Sequence, residues 1–525
     1  MKPSSVRRSI RLPLALPATL AALLLLAGCG GGGGAPGSTG NPSPVSQVPP
    51  PAPTPDPGAD PQADPIPQNV FATYWNVCAA PRTGLDTDGK PFPDRQGTLL
   101  DELKFLRGWA NDYYLWYSEI PTTYHMADFT SALDYFKVLK TPVLTASGAP
   151  KDKYHFTYPS AEWEALTNAG VDVGYGVTWS RNSPTAPRTW LATVVEPGSP
   201  AAAAGIVRGD MLVTVDGVDF VNGSDTAAVA AINAGLFPDK AGERHTLAIR
   251  RGQATIDMAL SSAAVSAASV KNVKVIDTPT GKVGYLTFDS HNAVAEKQLI
   301  DAFTRFQGAG VNDLVLDVRY NGGGLLYVAS ELAYMIAGPG PTSGKVFERP
   351  LYNDKIAAQP PILFRSTAWG FAAPNPAPAG QALPYLGLKR VTVLTTAGTC
   401  SASESVINSL RGVDVEVNVI GGQTCGKPYA FTPVPNCGTT YFSIEFQGVN
   451  QKGFGDYPDG IAPTCKVPDD LAHAVGDPAE GLLAAALSYR ANNACPAAST
   501  ARARAVPMTL VRPEAKEIAI YTRPR

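Results

Sequence analysis

The stretch "VTVLTTAGTCSASESVINSLRG", residues 391–412, reads as a strand, a loop and a helix in that order. Its first four residues are apolar or β-branched, which favours a buried strand, and apolar residues at helical spacing follow Ser401. A strand that runs through a short loop into a helix is the repeating unit of an α/β sheet. Since functional residues in such sheets lie just beyond the carboxyl ends of the strands, residues 398–404 are expected to form a site.

Two other stretches repeat this arrangement. "DLVLDV" (313–318) leads into the loop "RYNGGG", and "VEVNVI" (415–420) leads into "GGQTCGKPY". Alternating strands and helices indicate a parallel or mixed sheet with helices packed against it. We therefore expect the loops 319–324, 398–404 and 421–428 to meet at one edge of that sheet.

The residues on these loops suggest acyl chemistry. Ser401 stands at a predicted helix start, where backbone N–H groups favour a developing negative charge. A serine hydroxyl needs a base, and none of the five histidines is near these loops in sequence. Lys427 does lie on one of them, and burial can lower the pKa of a lysine enough to make it a base. Cys400 is an alternative nucleophile, although a disulfide is its expected state in an exported protein.

Residues 171–263 follow a different pattern. Short β patterns separated by Gly, Pro and Asp-Gly turns flank "AGIVRGDMLVTVDG", and two short helical stretches lie between them. This order resembles a PDZ domain of the kind found in bacterial proteases. The resemblance implies that Gly174, Tyr175, Gly176 and Val177 form a loop that binds the terminal carboxylate of a peptide, which adds as a strand to the sheet edge.

Taken together, these motifs resemble the C-terminal processing (tail-specific) peptidases, over about three quarters of the chain. The family is a group of Ser-Lys proteases, which implies Ser401 as the nucleophile and Lys427 as the base. It also implies an oxyanion hole formed by Gly323 and Ala402. One departure is Phe431, which stands where the family often has a glutamine, so Lys427 must be oriented by something else.

The resemblance implies a multidomain α+β protein with a ClpP/crotonase-like α/β core. We expect a helical N-terminal domain, a PDZ domain, the protease core and a C-terminal tail with one strand-like piece, at residues 70–167, 168–264, 265–496 and 497–525. The aromatic-rich pattern at 99–120 predicts a helix that packs in the core of the first of these domains, the alternative being a ligand groove.

The N-terminus indicates export. Basic residues precede a short apolar stretch that ends in Leu26-Ala27-Gly28-Cys29, which resembles a bacterial lipobox. We expect residues 1–28 to be a signal peptide, Cys29 to carry lipid, and the Gly- and Pro-rich residues 29–69 to be a tether. The alternative is a plain secretory signal. Gly30 in place of an aspartate points to the outer membrane, facing the periplasm or the cell surface.

Composition excludes several classes of function. The 525-residue chain has a net charge of −2 and no basic stripe, so a nucleic-acid partner is not expected. Six cysteines besides Cys29 allow up to three disulfides with fifteen pairings, and a Cys425–Cys437 bridge across a hairpin is one guess. Without a C-x-x-C pair or clustered histidines, neither a metal site nor a cofactor is expected.

The sequence thus predicts a lipid-anchored serine endopeptidase of the bacterial cell envelope that acts on exported proteins and recognises their C-termini. Two alternatives remain open. One is a catalytically silent PDZ adaptor that binds peptides, and the other is a different acyl hydrolase such as an esterase.

Overall fold

The computed structural model describes residues 64–86, 89–497 and 509–511. The expected signal peptide, the expected lipidation site Cys29 and most of the predicted tether lie outside the described residues, as does the tail apart from residues 509–511. Within the described ranges, none of the helices has the length and apolar character needed to cross a bilayer.

Residues 64–169 form a mostly helical region. Its helices and strands are α1 Val70–Thr73, β1 Val77–Cys78, β2 Arg95–Gln96, α2 Leu99–Tyr113, α3 Ala132–Val138, β3 Phe156–Pro159 and α4 Ser160–Ala169, with 3₁₀ turns at Tyr117–Glu119 and Met126–Asp128. A capping box between Thr98 and Asp101 starts α2. The predicted helix over 99–120 ends early, at Tyr113, but its aromatic face packs as predicted, since Trp109 is fully buried in a cluster of aromatic side chains.

Residues 171–266 form a twisted antiparallel β domain with two helices. Its elements are β4 Val171–Gly174, β5 Val177–Arg181, β6 Trp190–Val195, α5 Pro200–Ala204, β7 Met211–Val215, β8 Val218–Asp219, α6 Thr226–Leu236, β9 Arg244–Arg251, β10 Ala254–Ser261 and β11 Ala263–Ser266. The main sheet has the order β10-β9-β7-β6-β5, and β4 pairs with β11 beside it. Both helices predicted between the strands are present.

The remaining residues form an α/β core with antiparallel additions. Its elements are β12 Val270–Thr278, β13 Gly281–Phe288, α7 Ala295–Gly308, β14 Asp313–Asp317, α8 Leu326–Ala337, α9 Pro339–Thr342, β15 Val346–Tyr352, β16 Ile362–Leu363, β17 Arg390–Thr395, α10 Ala402–Gly412, β18 Glu416–Gly421, β19 Tyr429–Ala430, β20 Val434–Asn436, β21 Thr439–Phe442, β22 Phe446–Val449, β23 Cys465–Lys466 and α11 Gly481–Asn492. A last strand, β24 Thr509–Val511, pairs with β5 of the β domain.

The central sheet of the core is mixed, as predicted. Its order is β12-β13-β14-β17-β18-β23, and every pair is parallel except β12 with β13. Because β14, β17 and β18 are neighbours and parallel, the loops that follow them leave the same edge of the sheet. The sequence prediction that three loops meet there is confirmed.

Side chains alternate between the two faces of this sheet. On β14, Leu314 and Leu316 pack into a large apolar cluster with α7, α8 and α10, whereas Val315 packs with α11 on the opposite face. Residues at i and i+2 on a strand share one face, so the consecutive apolar residues Leu314, Val315 and Leu316 are what a sheet covered on both sides requires.

The helical region is joined to the core by backbone and by sulfur. Strand β3 pairs with β21, and Cys78 forms a disulfide with Cys437, 359 residues later in the chain. These links place the helical region against the part of the core that follows Lys427.

Candidate active site

Ser401 occupies the turn between β17 and α10. It is the residue immediately before the helix, and its backbone angles, φ 52° and ψ −114°, are unusual for a residue other than glycine. Such strained conformations are held only where the surrounding structure fixes them, and they concentrate at functional sites. Ser401 is 5% exposed.

Lys427 lies on the loop that follows β18, as predicted, and it is almost completely buried. Burial lowers the pKa of its amine well below the ordinary value, although Asp152 and Glu404 nearby oppose the shift. Its Nζ atom lies 4.0 Å from the centre of the Phe431 ring and 5.0 Å from the centre of the Tyr154 ring. The aromatic side chain that replaces the family's glutamine therefore packs directly against the amine.

Glu404 joins the serine loop to the lysine loop. Its Oε2 atom accepts the backbone N–H groups of Ser401, at 2.9 Å, and of Lys427, at 2.8 Å. Its Oε1 atom accepts the Gly426 N–H at 2.9 Å and the Thr424 hydroxyl at 2.5 Å. Burial raises the pKa of this carboxyl, and the hydrogen bonds to it oppose that shift. One buried carboxylate thus holds the backbones of Ser401 and Lys427 next to each other.

A disulfide makes the same connection covalently. Cys400 pairs with Cys425, with 5.2 Å between the Cα atoms, and the Cys425 N–H donates to the Thr399 carbonyl at 3.0 Å. The paired state expected for Cys400 is confirmed, whereas the guess that Cys425 bridges to Cys437 is wrong. Both sulfurs are committed to this bond, so Cys400 and Cys425 cannot act with Glu404 as thiolate ligands of a metal, although the three lie close enough to do so.

The glycine-rich loop after β14 packs against the serine loop. The Asn321 carbonyl accepts the Cys400 N–H at 3.0 Å and the Ser403 hydroxyl at 3.1 Å. Gly323, a predicted oxyanion donor, lies on this loop with φ 101°, but its N–H donates to the Asn321 side chain at 2.8 Å. In this conformation the Gly323 N–H is therefore used internally. Ala402, the other predicted donor, is the first residue of α10 and is fully buried.

His291, which is distant from these loops in sequence, lies at the same sheet edge. Its Nδ1 is 3.1 Å from the Asn321 side-chain oxygen, and its backbone N–H donates to the Gly323 carbonyl at 3.0 Å. Burial lowers its pKa to about 3, so the ring is neutral at ordinary pH. The signal for it was present, because residues 283–288 form the strand next to β14 and His291 follows its carboxyl end.

Tyr154 and Asp152 come from the helical region and had no sequence signal. The Tyr154 hydroxyl donates to the Gly426 carbonyl at 3.0 Å, and Asp152 accepts the Tyr154 N–H at 2.9 Å. Through Tyr154 and Asp152 the helical region forms part of the surroundings of the Lys427 side chain.

In the β domain, the predicted carboxylate-binding loop lies between β4 and β5. The Tyr175 side chain points into the domain, where its hydroxyl donates to the Gly235 carbonyl at the end of α6, at 3.0 Å. Gly176 has φ 73°, and a Cβ atom there would lie 2.4 Å from the Cβ of Ser199. The loop therefore needs glycine at this position, and Val177 begins β5.

Arg208 connects the β domain to the glycine-rich loop of the core. Its guanidinium donates to the Tyr320 hydroxyl at 2.7 Å and to the Asp469 carboxylate at 2.9 Å. Tyr320 itself donates to Asp469, and buried Arg319 binds the same carboxylate at 2.9 Å. A change in the position of the β domain would thus be felt at the loop that contains Gly323.

Comparison with known families agrees with this architecture. Residues 282–467 match peptidase family S41, and residues 191–251 match the PDZ domain family. The S41 segment lies in the α/β core, and the PDZ segment lies in the β domain of residues 171–266. The resemblance to C-terminal processing peptidases and the predicted multidomain fold are both confirmed.

Curated relatives bear related names. A carboxyl-terminal-processing protease of Picosynechococcus is 31% identical over 26% of this chain and 32% of its own length. A CtpA-like serine protease of Staphylococcus epidermidis is 27% identical over 56% of this chain and 54% of its own. The chain thus spans about a third to a half of the length of the curated relatives it matches.

A solved structure extends the likeness beyond these segments. The S41 protease structure from Bacteroides fragilis is 25% identical, with a TM-score of 0.59, and the match covers 77% of this chain and 99% of that one. The alignment therefore reaches across most of the residues that the present structure describes.

Proposed function

Because residues 282–467 match peptidase family S41 and residues 191–251 match the PDZ domain family, we propose that the chain is a serine endopeptidase that hydrolyses peptide bonds through Ser401 and Lys427. The observation that carries this proposal is the position of Glu404, whose one oxygen accepts the backbone N–H groups of both residues. Two loops that are distant in sequence are thereby held together around a hydroxyl and a buried amine with a lowered pKa.

The proposed reaction proceeds through an acyl-enzyme. Neutral Lys427 removes the proton from the Ser401 hydroxyl as its oxygen attacks the carbonyl carbon of the substrate. The N–H of Ala402, at the amino terminus of α10, would donate to the oxyanion. The lysine ammonium then gives its proton to the leaving amine, and water, activated in the same way, hydrolyses the ester.

The PDZ domain would bind the C-terminal residues of protein substrates. A peptide would add as a strand to β5, with its carboxylate at the loop Gly174–Val177. Arg208 would connect that event to the catalytic loops through its contacts with Tyr320 and Asp469.

The test is cleavage of reduced, carboxymethylated casein by the chain that begins at residue 64, compared with the Ser401→Ala and Lys427→Ala variants. Loss of cleavage in both variants, with retained circular dichroism and intact disulfides, is the expected result. Lys427→Arg is a matched control, because arginine keeps a long basic side chain but stays protonated and cannot act as a base, and it should be as inactive as Lys427→Ala. Cleavage that persists in either variant would remove that residue from the mechanism.

A second candidate, the silent PDZ adaptor, is favoured by one observation. The Gly323 N–H, a predicted oxyanion donor, is bonded to Asn321 instead of facing Ser401. For an adaptor, the parent chain and both variants would leave casein intact while still binding peptides that end in a free carboxylate. An amide substrate is used so that esterase activity alone does not count as support.

We also propose that lipid on Cys29 anchors the protein in the bacterial cell envelope, at the outer membrane. The support is the lipobox-like Leu26-Ala27-Gly28-Cys29 and the tether that follows it. The full chain should partition into detergent on phase separation and incorporate a fatty-acid label, whereas Cys29→Ser should do neither. Equal labelling of both chains would refute the lipid on this residue.

A further inference from the structure

The strand β24 covers the edge of the PDZ sheet that a peptide would use. Thr509, Leu510 and Val511 pair antiparallel with β5, opposite Arg181, Ser180 and Trp179 respectively. On its other side β5 pairs with β6, so β24 takes up the edge position of the sheet. A strand seated here satisfies main-chain groups that an added peptide would otherwise need.

The direction of β24 is also that of a peptide ligand. Along β24 the register moves from Arg181 towards Trp179, which is the direction of the loop Gly174–Val177. A peptide bound by its terminal carboxylate would run the same way, because its last residue must reach that loop. The segment 509–511 therefore lies along the same track as the proposed substrate.

The side chains of Leu510 and Val511 on β24 contact different parts of the protein. Val511 is only 8% exposed and belongs to the apolar cluster of the PDZ domain, together with Tyr175 and Trp179. Leu510 approaches the serine loop, since a Cβ atom built on Gly398 would lie 2.7 Å from its Cδ1. The strand thus fills the space between the PDZ edge and the loop that ends in Ser401.

We propose that residues 509–511 are an intramolecular ligand of the PDZ edge, so that a substrate C-terminus must displace them before it can bind. This inference rests on the proposed peptide-binding function of the edge. Because a site that is mostly occupied binds a competitor in proportion to its free fraction, even 90% occupancy weakens apparent binding about tenfold. The occupant belongs to the same chain, so this competition does not depend on protein concentration.

The test uses chains that carry Ser401→Ala, so that the probe is not cleaved. The probe is fluorescein-VPMTLV, a copy of residues 506–511 with a free carboxyl terminus, and its binding is followed by fluorescence anisotropy. Val511→Asp places a charge in the apolar cluster and should release the strand. A chain that ends after residue 508 lacks the strand altogether. Val143→Asp, the same change at a 44% exposed valine outside the PDZ domain, is the matched control.

We expect both strand-releasing variants to bind the probe at least about tenfold more tightly than the parent and Val143→Asp. Hydrogen exchange across residues 177–181 should also become faster in both, while exchange across residues 244–261 stays slow and shows that the domain is folded. Equal probe affinity in all chains, or unchanged exchange at 177–181, would overturn the inference.

Hydrogen exchange tests whether β24 occupies the edge independently of whether the edge binds peptides, because the measurement requires neither catalysis nor peptide binding. Faster exchange at 177–181 with no probe bound by any chain would refute peptide recognition by this edge, and with it the competition. Casein cleavage by the chain with Ser401 intact would then still test the peptidase separately.

Discussion

Substitutions at Glu404 should distinguish the contributions of its two carboxylate oxygens, which accept hydrogen bonds from different groups. In Glu404→Gln the amide nitrogen can take the place of Oε1, where the Thr424 hydroxyl can turn to accept it, while the amide oxygen keeps the Ser401 and Lys427 N–H groups. The Gly426 N–H and the Thr424 O–H then lose their acceptor. Each unsatisfied buried donor costs about 1–3 kcal/mol in the free energy of unfolding. In Glu404→Ala, the Ser401 and Lys427 N–H groups lose their acceptor as well, so the loss in the free energy of unfolding should be about twice that of Glu404→Gln.

Activity should follow the same order. Glu404→Gln retains the bonds that position the backbones of Ser401 and Lys427, so we expect kcat/KM for a fluorogenic unfolded substrate to fall less than about tenfold. Glu404→Ala frees both loops from the carboxylate, and a displacement of about 1 Å can cost about 100-fold in rate. Urea titration measures stability on the same preparations.

Glu348→Gln is the matched control for this prediction. Glu348 is also a buried glutamate beside α10, but its described acceptor contact is a single hydroxyl, that of Ser405 at 2.7 Å. Burial raises its pKa to about 7, so the neutral amide resembles its protonated form. We expect a smaller loss in the free energy of unfolding than for Glu404→Gln, because the amide can keep the one hydrogen bond to Ser405. If Glu404→Gln and Glu404→Ala were both as stable and as active as the parent, the bracing role of Glu404 would be refuted.

Three further predictions concern the lysine, the disulfide and the domain contact. Because burial lowers the pKa of Lys427, kcat/KM should rise with pH through that lowered pKa. The native state also loses this proton at a lower pH than the unfolded chain, so the free energy of unfolding should rise with pH between the two pKa values. Lys427→Met should abolish that rise, whereas Lys137→Met, at an exposed lysine, should not. The disulfides Cys400–Cys425 and Cys465–Cys495 span 25 and 30 residues, so replacing either pair by alanines should lower the free energy of unfolding by a similar amount, about 3.5 kcal/mol by chain entropy. Only removal of Cys400–Cys425 should strongly reduce the rate of casein cleavage. Equal cleavage rates in the two variants would show that the Cys400–Cys425 link does not position the site. Arg208→Ala should leave cleavage of a short peptide unchanged and slow cleavage of a protein substrate that engages the PDZ domain, whereas Arg250→Ala, on β9 of the same domain, should affect neither.

The sequence was most informative where local pattern and topology agree. The stretches rich in Val, Leu and Ile at 313–318, 391–394 and 415–420 predict strands, and the rule that parallel strands end at one edge brings Ser401, Gly323 and Lys427 together. The same rule, applied to residues 283–288, would have added His291. The disulfide partners did not follow from spacing, because Cys425 and Cys437 are close in sequence but belong to different links.

Contacts between distant segments were beyond sequence patterns. Nothing about "KDKYHF" indicates that Tyr154 lies beside Lys427, since that contact depends on how the helical region packs on the core. The same holds for "TLV" at 509–511. Three apolar or β-branched residues predict a strand, but only the structure identifies β5 as its partner.

The Cys78–Cys437 link has a consequence for biosynthesis. At about 5–20 residues per second, roughly 20–70 s separate the synthesis of the two cysteines. Cys400 and Cys425 both precede Cys437 along the chain, so they become available to the Cys78 thiol before its native partner does. A first bond to either would have to be exchanged for the native one, which is slow without a catalyst. Production of this protein in quantity should therefore depend on a disulfide isomerase more than on an oxidant.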